Sequence, residues 1–197
     1  MPETVSKLAS FVFAHGELAG EILFRDVEGE GEIPGLKAEE RDAMTRAEPL
    51  LRETWIGILS ACREALWTLA KGHPCEADIR SRKTQLNKMF ENGEFSVPLV
   101  PGRATAGVAL EAWGAAEYHL YVWCWTQARY RKAAEAAVAG LNPVPWRNES
   151  GSFLLTLDGP KEGETYAAIG ERTATALWAM ARPVAEVVAA AQNGDEA

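Results

Sequence analysis

The chain has little of the chemistry from which most enzymes are built. It holds three cysteines and three histidines in 197 residues. Cys62, Cys75 and Cys124 are odd in number and irregular in spacing, which excludes a disulfide framework and fits a reducing compartment. No uncharged apolar run approaches the ~18 residues of a membrane-spanning helix. Met1-Pro2-Glu3-Thr4 carries no basic stretch ahead of an apolar one, so a soluble cytoplasmic chain with no membrane partner is expected. A phosphate-cradling Gly-rich loop with its lysine, GxSxG, HExxH and paired CxxC are all missing. An RxxxxH pattern ending at His119 fails because Gly114 stands where its arginine belongs. Strands alternating with helices, which a dinucleotide-binding fold needs, are not visible in the periodicity. No cofactor is implied.

What the chain does have is apolar and aromatic bulk. Hydrophobic residues make up 47% and charged residues 24%, enough for one good-sized core, and seven tryptophans are many for this length. The net charge of −8 is unevenly spread. Residues 1–53 carry 6 basic and 12 acidic side chains, residues 54–140 carry 10 and 8, and residues 141–197 carry 4 and 8, giving −6, +2 and −4. A mildly basic middle inside an acidic envelope excludes a protein whose whole surface binds nucleic acid or anionic membrane, and leaves room for a local basic patch.

The fold class read from these patterns is all-α. The stretch from Arg103 to Gly140 lies between the breakers Pro98, Pro101 and Gly102 and the breakers Gly140, Asn142 and Pro143, and it reads as one long central helix. Its middle, Tyr118 to Trp125, is apolar or aromatic on every side, as a helix buried all round would be. Around it the spacing predicts an irregular bundle of four to five helices in a single domain spanning 1–197. The first runs from about Thr4 to Arg25, with Val5, Leu8, Val12, His15, Ala19 and Ile22 inward. His15 on that stripe reads as a core histidine. A second helical region begins near Ala38 and restarts at Pro49, where Leu51, Trp55, Ile58, Cys62, Leu66 and Leu69 form a clean stripe ending at Lys71-Gly72. A shorter amphipathic helix follows from Cys75 to Glu91, and Phe95 to Pro101 is extended. Residues 143–158 read as a small β-hairpin before the last helix. That helix, about Thr165 to Gln192, turns Tyr166, Ile169, Thr173, Leu177, Met180, Val184, Val187 and Ala191 inward, is kinked at Pro183, and leaves a frayed tail over 193–197.

Residues 26–37 form an acidic Gly-rich connector. They resemble a calcium loop, with acids at loop positions 1, 3 and 5 and Gly31 at position 6, but Lys37 replaces the bidentate glutamate at position 12. Four functional readings arise. Many large aromatics without a complete catalytic constellation point to a non-catalytic adaptor or small subunit that binds another macromolecule, with another protein as the partner. Exposure of Trp55, Trp67, Trp123 or Trp146 in one patch is its signature. The basic side chains Arg80, Arg82, Lys83, Lys88, Arg129, Arg131 and Lys132 instead point to a nucleic-acid-contacting subunit of a ribonucleoprotein-type complex. The opposite electrostatic reading is an acidic mimic of nucleic acid, built on Asp26 to Glu32, Glu39, Glu40 and Asp42. Last, a helical hydrolase would use Glu117 and His119 as acid and base, with His73 and Cys75 as metal ligands that Cys62, Cys124 or His119 could join. Taken alone, the irregular spacing assigns no metal.

Overall fold

The computed structural model describes residues 3–14, 38–80, 94–112, 118–148 and 150–195. Its helices are α1 (Lys7–Phe13), α2 (Ala38–Leu69), α3 (Glu76–Arg80), α4 (Arg131–Val138) and α5 (Tyr166–Asp195). The strands are β1 (Glu94–Val100), β2 (Ala104–Ala112), β3 (Tyr118–Thr126), β4 (Trp146–Arg147) and β5 (Phe153–Leu157), with a 3-10 turn at Ala128–Tyr130. The five strands form one antiparallel sheet in the order β1-β2-β3-β5-β4. The chain is therefore α+β, and the all-α bundle is overturned.

The segment read as a central helix is a turn at 101–103, two strands, the 3-10 turn and the short helix α4. Its apolar content on every side has a different cause from the one a helix would need. A strand alternates its side chains between two faces, and when both faces are apolar the run looks like a buried helix. Leu120, Val122 and Cys124 point one way along β3 and are fully buried, while Tyr121, Trp123 and Trp125 point the other way and are half-buried. Aromatic and β-branched residues at this density favour a pleated surface, and that preference decides the conformation.

The hub of the fold is α5. It packs on α2 along one side, on β1, β2 and β3 along the other, and on α4. Two buried rows meet these two neighbours, for Ile169, Thr173, Leu177, Met180 and Val184 are joined by Ala174, Ala181, Ala185 and Val188. Thr165 caps the helix by accepting the Ala168 N–H at 3.1 Å, and an N-terminal strap pins its start, with Val5 N donating to Glu164 O at 2.9 Å and Tyr166 N to Glu3 O at 2.9 Å. The helix passes through Pro183 and continues to Asp195, into the span read as tail.

On α2 the stripe Leu51, Trp55, Ile58, Cys62 and Leu66 is buried, while Leu69 is exposed. The helix begins at Ala38 and runs unbroken through Pro49. On α1, Ala9, Val12 and Phe13 are buried and Leu8 is exposed, while Val5 is buried just ahead of the helix, so its inward face differs from the predicted one. His15 and the 26–37 connector lie outside the described residues. Edge strand β1 carries Pro98 and edge strand β4 is two residues long after Pro145, both of which blunt pairing with another chain. No helix among the described residues is long and apolar enough to cross a membrane.

Candidate functional site

The described helices that pack on the sheet's strands cover one face of it. That face presents Phe95, Val97, Ala106, Val108, Leu120, Val122, Cys124, Phe153 and Leu155 to the core shared with α2 and α5. The opposite face belongs to no core cluster and is where the aromatics gather. Trp123 pairs with Gly107 on β2 and with Leu154 on β5, and Leu154 in turn pairs with Trp146 on β4. One cross-strand row therefore reads Gly107, Trp123, Leu154, Trp146. Tyr121 and Trp125 flank Trp123 on the same strand, about 7 Å away on either side.

The row is built by a size exchange. A Cβ on Gly107 would lie 2.7 Å from Cε2 and Cζ2 of Trp123 and would also collide with the Phe95 carbonyl oxygen. The absent side chain lets the indole lie flat across β2. Leu154 is only 2% exposed although it lies outside the main core, as expected of a residue flanked by Trp123 and Trp146 at its own register position. Trp146 is 43% exposed and its neighbour Val144 63%. A half-buried aromatic row of this kind is an unusual outer surface for a sheet.

Cations collect at the end of the sheet where Trp125 sits. Gln127 Nε2 donates to Gly102 O at 2.8 Å and Gln127 N to Arg103 O at 2.9 Å, tying the β1–β2 turn to the end of β3. Arg103 donates to the Tyr130 hydroxyl at 3.1 Å, and the Arg129 guanidinium lies 4.6 Å from the centre of the same ring. Arg131 crosses the β4–β5 turn, donating to Ser150 O at 3.3 Å. It passes over Gly151, whose positive φ and lack of a side chain both suit that approach. Lys132 is exposed at the first turn of α4, and Arg147 lies 3.9 Å from Glu135.

Charge is unevenly spread along the chain. From Glu94 to Leu157 the basic residues are Arg103, Arg129, Arg131, Lys132 and Arg147 and the acidic ones Glu94, Glu111, Glu117, Glu135 and Glu149, so the two sets cancel and the whole −8 falls on the rest of the sequence.

Of the predicted nucleic-acid set, Arg129, Arg131 and Lys132 are thus brought together. Arg80 ends α3, with its side chain outside the described residues, as are Arg82, Lys83 and Lys88. Among the predicted aromatic anchors, Trp123 and Trp146 share the outer face. Trp55 is core at 2% exposure, and Trp67, on α2, donates to Glu76 Oε1 at 3.1 Å. Tyr121, Trp125 and Leu154 join the face without having been singled out, and their alternate spacing on a strand was the available signal. For the acid/base pair, Glu117 lies outside the described residues, and the His119 backbone pairs with Glu111 while its side chain is outside them. In the acidic-mimic set, Asp42 is exposed, Asp26 to Glu32 lie outside the described residues, and so do the side chains of Glu39 and Glu40.

His73 and Cys75 do meet, with Nδ1 3.0 Å from Sγ. The Cys75 backbone N–H also donates to Nδ1 at 3.3 Å, which makes that nitrogen the acceptor and the thiol a donor. Burial pushes the Cys75 thiol up to about 11 and lowers the His73 imidazole, which packs edge-on against Trp178 at 5.2 Å. The pair therefore rests as neutral thiol and neutral imidazole, the opposite of an activated nucleophile. Cys62 and Cys124 are buried apart from it, their thiols pushed up to about 12 by desolvation. Among the described residues no group of three or more His, Cys, Asp or Glu side chains is placed to hold a metal ion.

Because burial depresses the His73 imidazole, the folded state takes up a proton less readily than the unfolded chain, whose histidine titrates near 6.5. Its contribution to stability is full above that value and is lost as pH falls through the lower folded one. Urea melts between pH 7.5 and 5 should show stability falling with pH, with a shallower fall in His73→Gln. Equal slopes for the two proteins would remove His73 as the cause.

No protein-family model, no curated protein and no solved structure matches this chain.

Proposed function

We propose that the chain is a non-catalytic binding subunit that engages a macromolecular partner through the outer face of its sheet. The observation that carries this reading is the cross-strand row of Gly107, Trp123, Leu154 and Trp146, with Tyr121 and Trp125 beside Trp123, on the sheet face that the described helices leave alone. Aromatic anchors near the centre of a patch, with charge at its rim, are the usual composition of a recognition surface. Gly107 adds weight, because a strand interior loses stability by carrying glycine and here gains a flat-lying indole.

Affinity capture from native lysate by the tagged chain, in nuclease-treated and untreated halves, tests it. Wild type should retain a stoichiometric partner, and Trp125→Ala and Trp146→Ala should each lose most of it while keeping the wild-type far-UV spectrum and melting transition. Retention of the full partner by both folded variants would move the binding surface elsewhere.

A further inference from the structure

Resting on the outer face being a binding face, we infer that its partner is a single strand of nucleic acid, whose bases stack on Tyr121, Trp123 and Trp125 while its phosphates meet Arg103, Arg129, Arg131 and Lys132. Two observations converge. The first is spacing, since successive aromatics on one face of β3 stand about 7 Å apart, a step that an extended strand of unstacked nucleotides can match. An aromatic column suits bases in general, because every base has a π-face.

The second is charge. At the Trp125 end, Arg103 directs a hydrogen bond to a phenol and Arg131 one to a carbonyl, and Lys132 is exposed. None of these three has a carboxylate within ion-pair distance among the described residues, whereas Arg52, Arg63, Arg172 and Arg182 on the helical side each do. A chain of net −8 that gathers Arg103, Arg131 and Lys132 at one end of its sheet, without such a carboxylate among the described residues, is complementary there to an anion.

A duplex presents its stacked bases only edge-on and cannot use the aromatic column.

The test is fluorescence anisotropy of labelled dT15 and rU15 against the full chain, beside a duplex of the same length, at 50 and 200 mM NaCl. Single strands should bind, should quench tryptophan emission, and should bind at least 10-fold more tightly than duplex. With three to four phosphates neutralised and a slope of about −0.7 per phosphate, the fourfold rise in salt should weaken binding about 20- to 50-fold. Trp125→Ala should weaken it at least 5-fold at either salt, and Lys132→Glu should weaken it and flatten the salt dependence. Lys132 is exposed and Trp146 is partly so; thus Lys132→Glu and Trp146→Ala keep the test open if Trp125→Ala fails to fold. Absence of single-strand binding, equal affinity for duplex, or indifference to all three substitutions would overturn the inference. If lysate capture is nuclease-resistant yet lost in the tryptophan variants, the binding face stands and nucleic acid as its partner falls.

Discussion

Phe153→Ala is expected to cost about 3–5 kcal/mol, a large share of the roughly 5–15 kcal/mol that holds a domain together. Phe153 is among the largest fully buried side chains, placed on the helix-facing side of β5 opposite Cys124. Truncating it removes an aromatic ring from the buried face of the sheet, where the paired strand β3 cannot collapse into the space. Chemical denaturation read by circular dichroism should show the midpoint moving far down with the denaturant slope unchanged. The size of the loss separates two architectures, because a residue of a peripheral hairpin beside a helical bundle would give up less than about 1 kcal/mol. A loss that small would contradict β5 as a central strand. Thr156→Ala, two positions from Leu154 on the exposed side of the same strand, serves as the control and should change little.

The contrast between these two positions shows what a single sequence discloses about this fold. Helices α2 and α5 are legible because each has a polar side and a long apolar stripe at spacings of three and four, and the stripe residues Trp55, Ile58, Ile169 and Leu177 are buried as that spacing requires. Strands β2 and β3 are not, because both of their faces are apolar. Alternation gives a strand away only when one side is wet, and here one side meets α5 and the other carries the aromatic row. Gly107, inside the span that reads as a helix, is the strongest local sign against that reading, since it sits where Trp123 lies down. The candidate site was legible in part for the same reason. Trp123, Trp146, Arg129, Arg131 and Lys132 stand out as residue types, but only the register of β3, β5 and β4 puts the tryptophans in one row. Only the hydrogen bonds to Tyr130 and Ser150 bring their cations to its end. His73 and Cys75 show the converse, two residues that sequence joins and structure brings within 3.0 Å, in protonation states that leave them inert.

Gly170→Val should destabilise the protein by about 3 kcal/mol, and Gly170→Ala by less but in the same direction. The sign of the alanine result is the informative part. In the interior of an exposed helix, replacing glycine with alanine gains roughly 1 kcal/mol by removing backbone freedom from the unfolded chain. Gly170 lies in α5 where that helix crosses α2, and a Cβ there would come within 2.5 Å of the Ala61 carbonyl carbon and 2.6 Å of the Cys62 nitrogen. Both atoms are backbone inside a 32-residue helix, so they cannot swing aside as a side chain can. The helices must separate, and every contact of the α2–α5 interface loosens with them. Gly57, at the same crossing, offers the internal comparison. Its would-be Cβ meets the ring of Tyr166, a side chain in the first turn of α5 whose hydroxyl makes only a 3.3 Å bond to Thr54, so Gly57→Ala can be relieved by a ring rotation and should cost less than Gly170→Ala. Thermal melts of the three variants should rank Gly57→Ala above Gly170→Ala above Gly170→Val. A rise in melting temperature for Gly170→Ala would mean that α2 and α5 do not approach as closely as 2.5 Å requires, and the sandwich of sheet, α5 and α2 would have to be looser than its glycines imply.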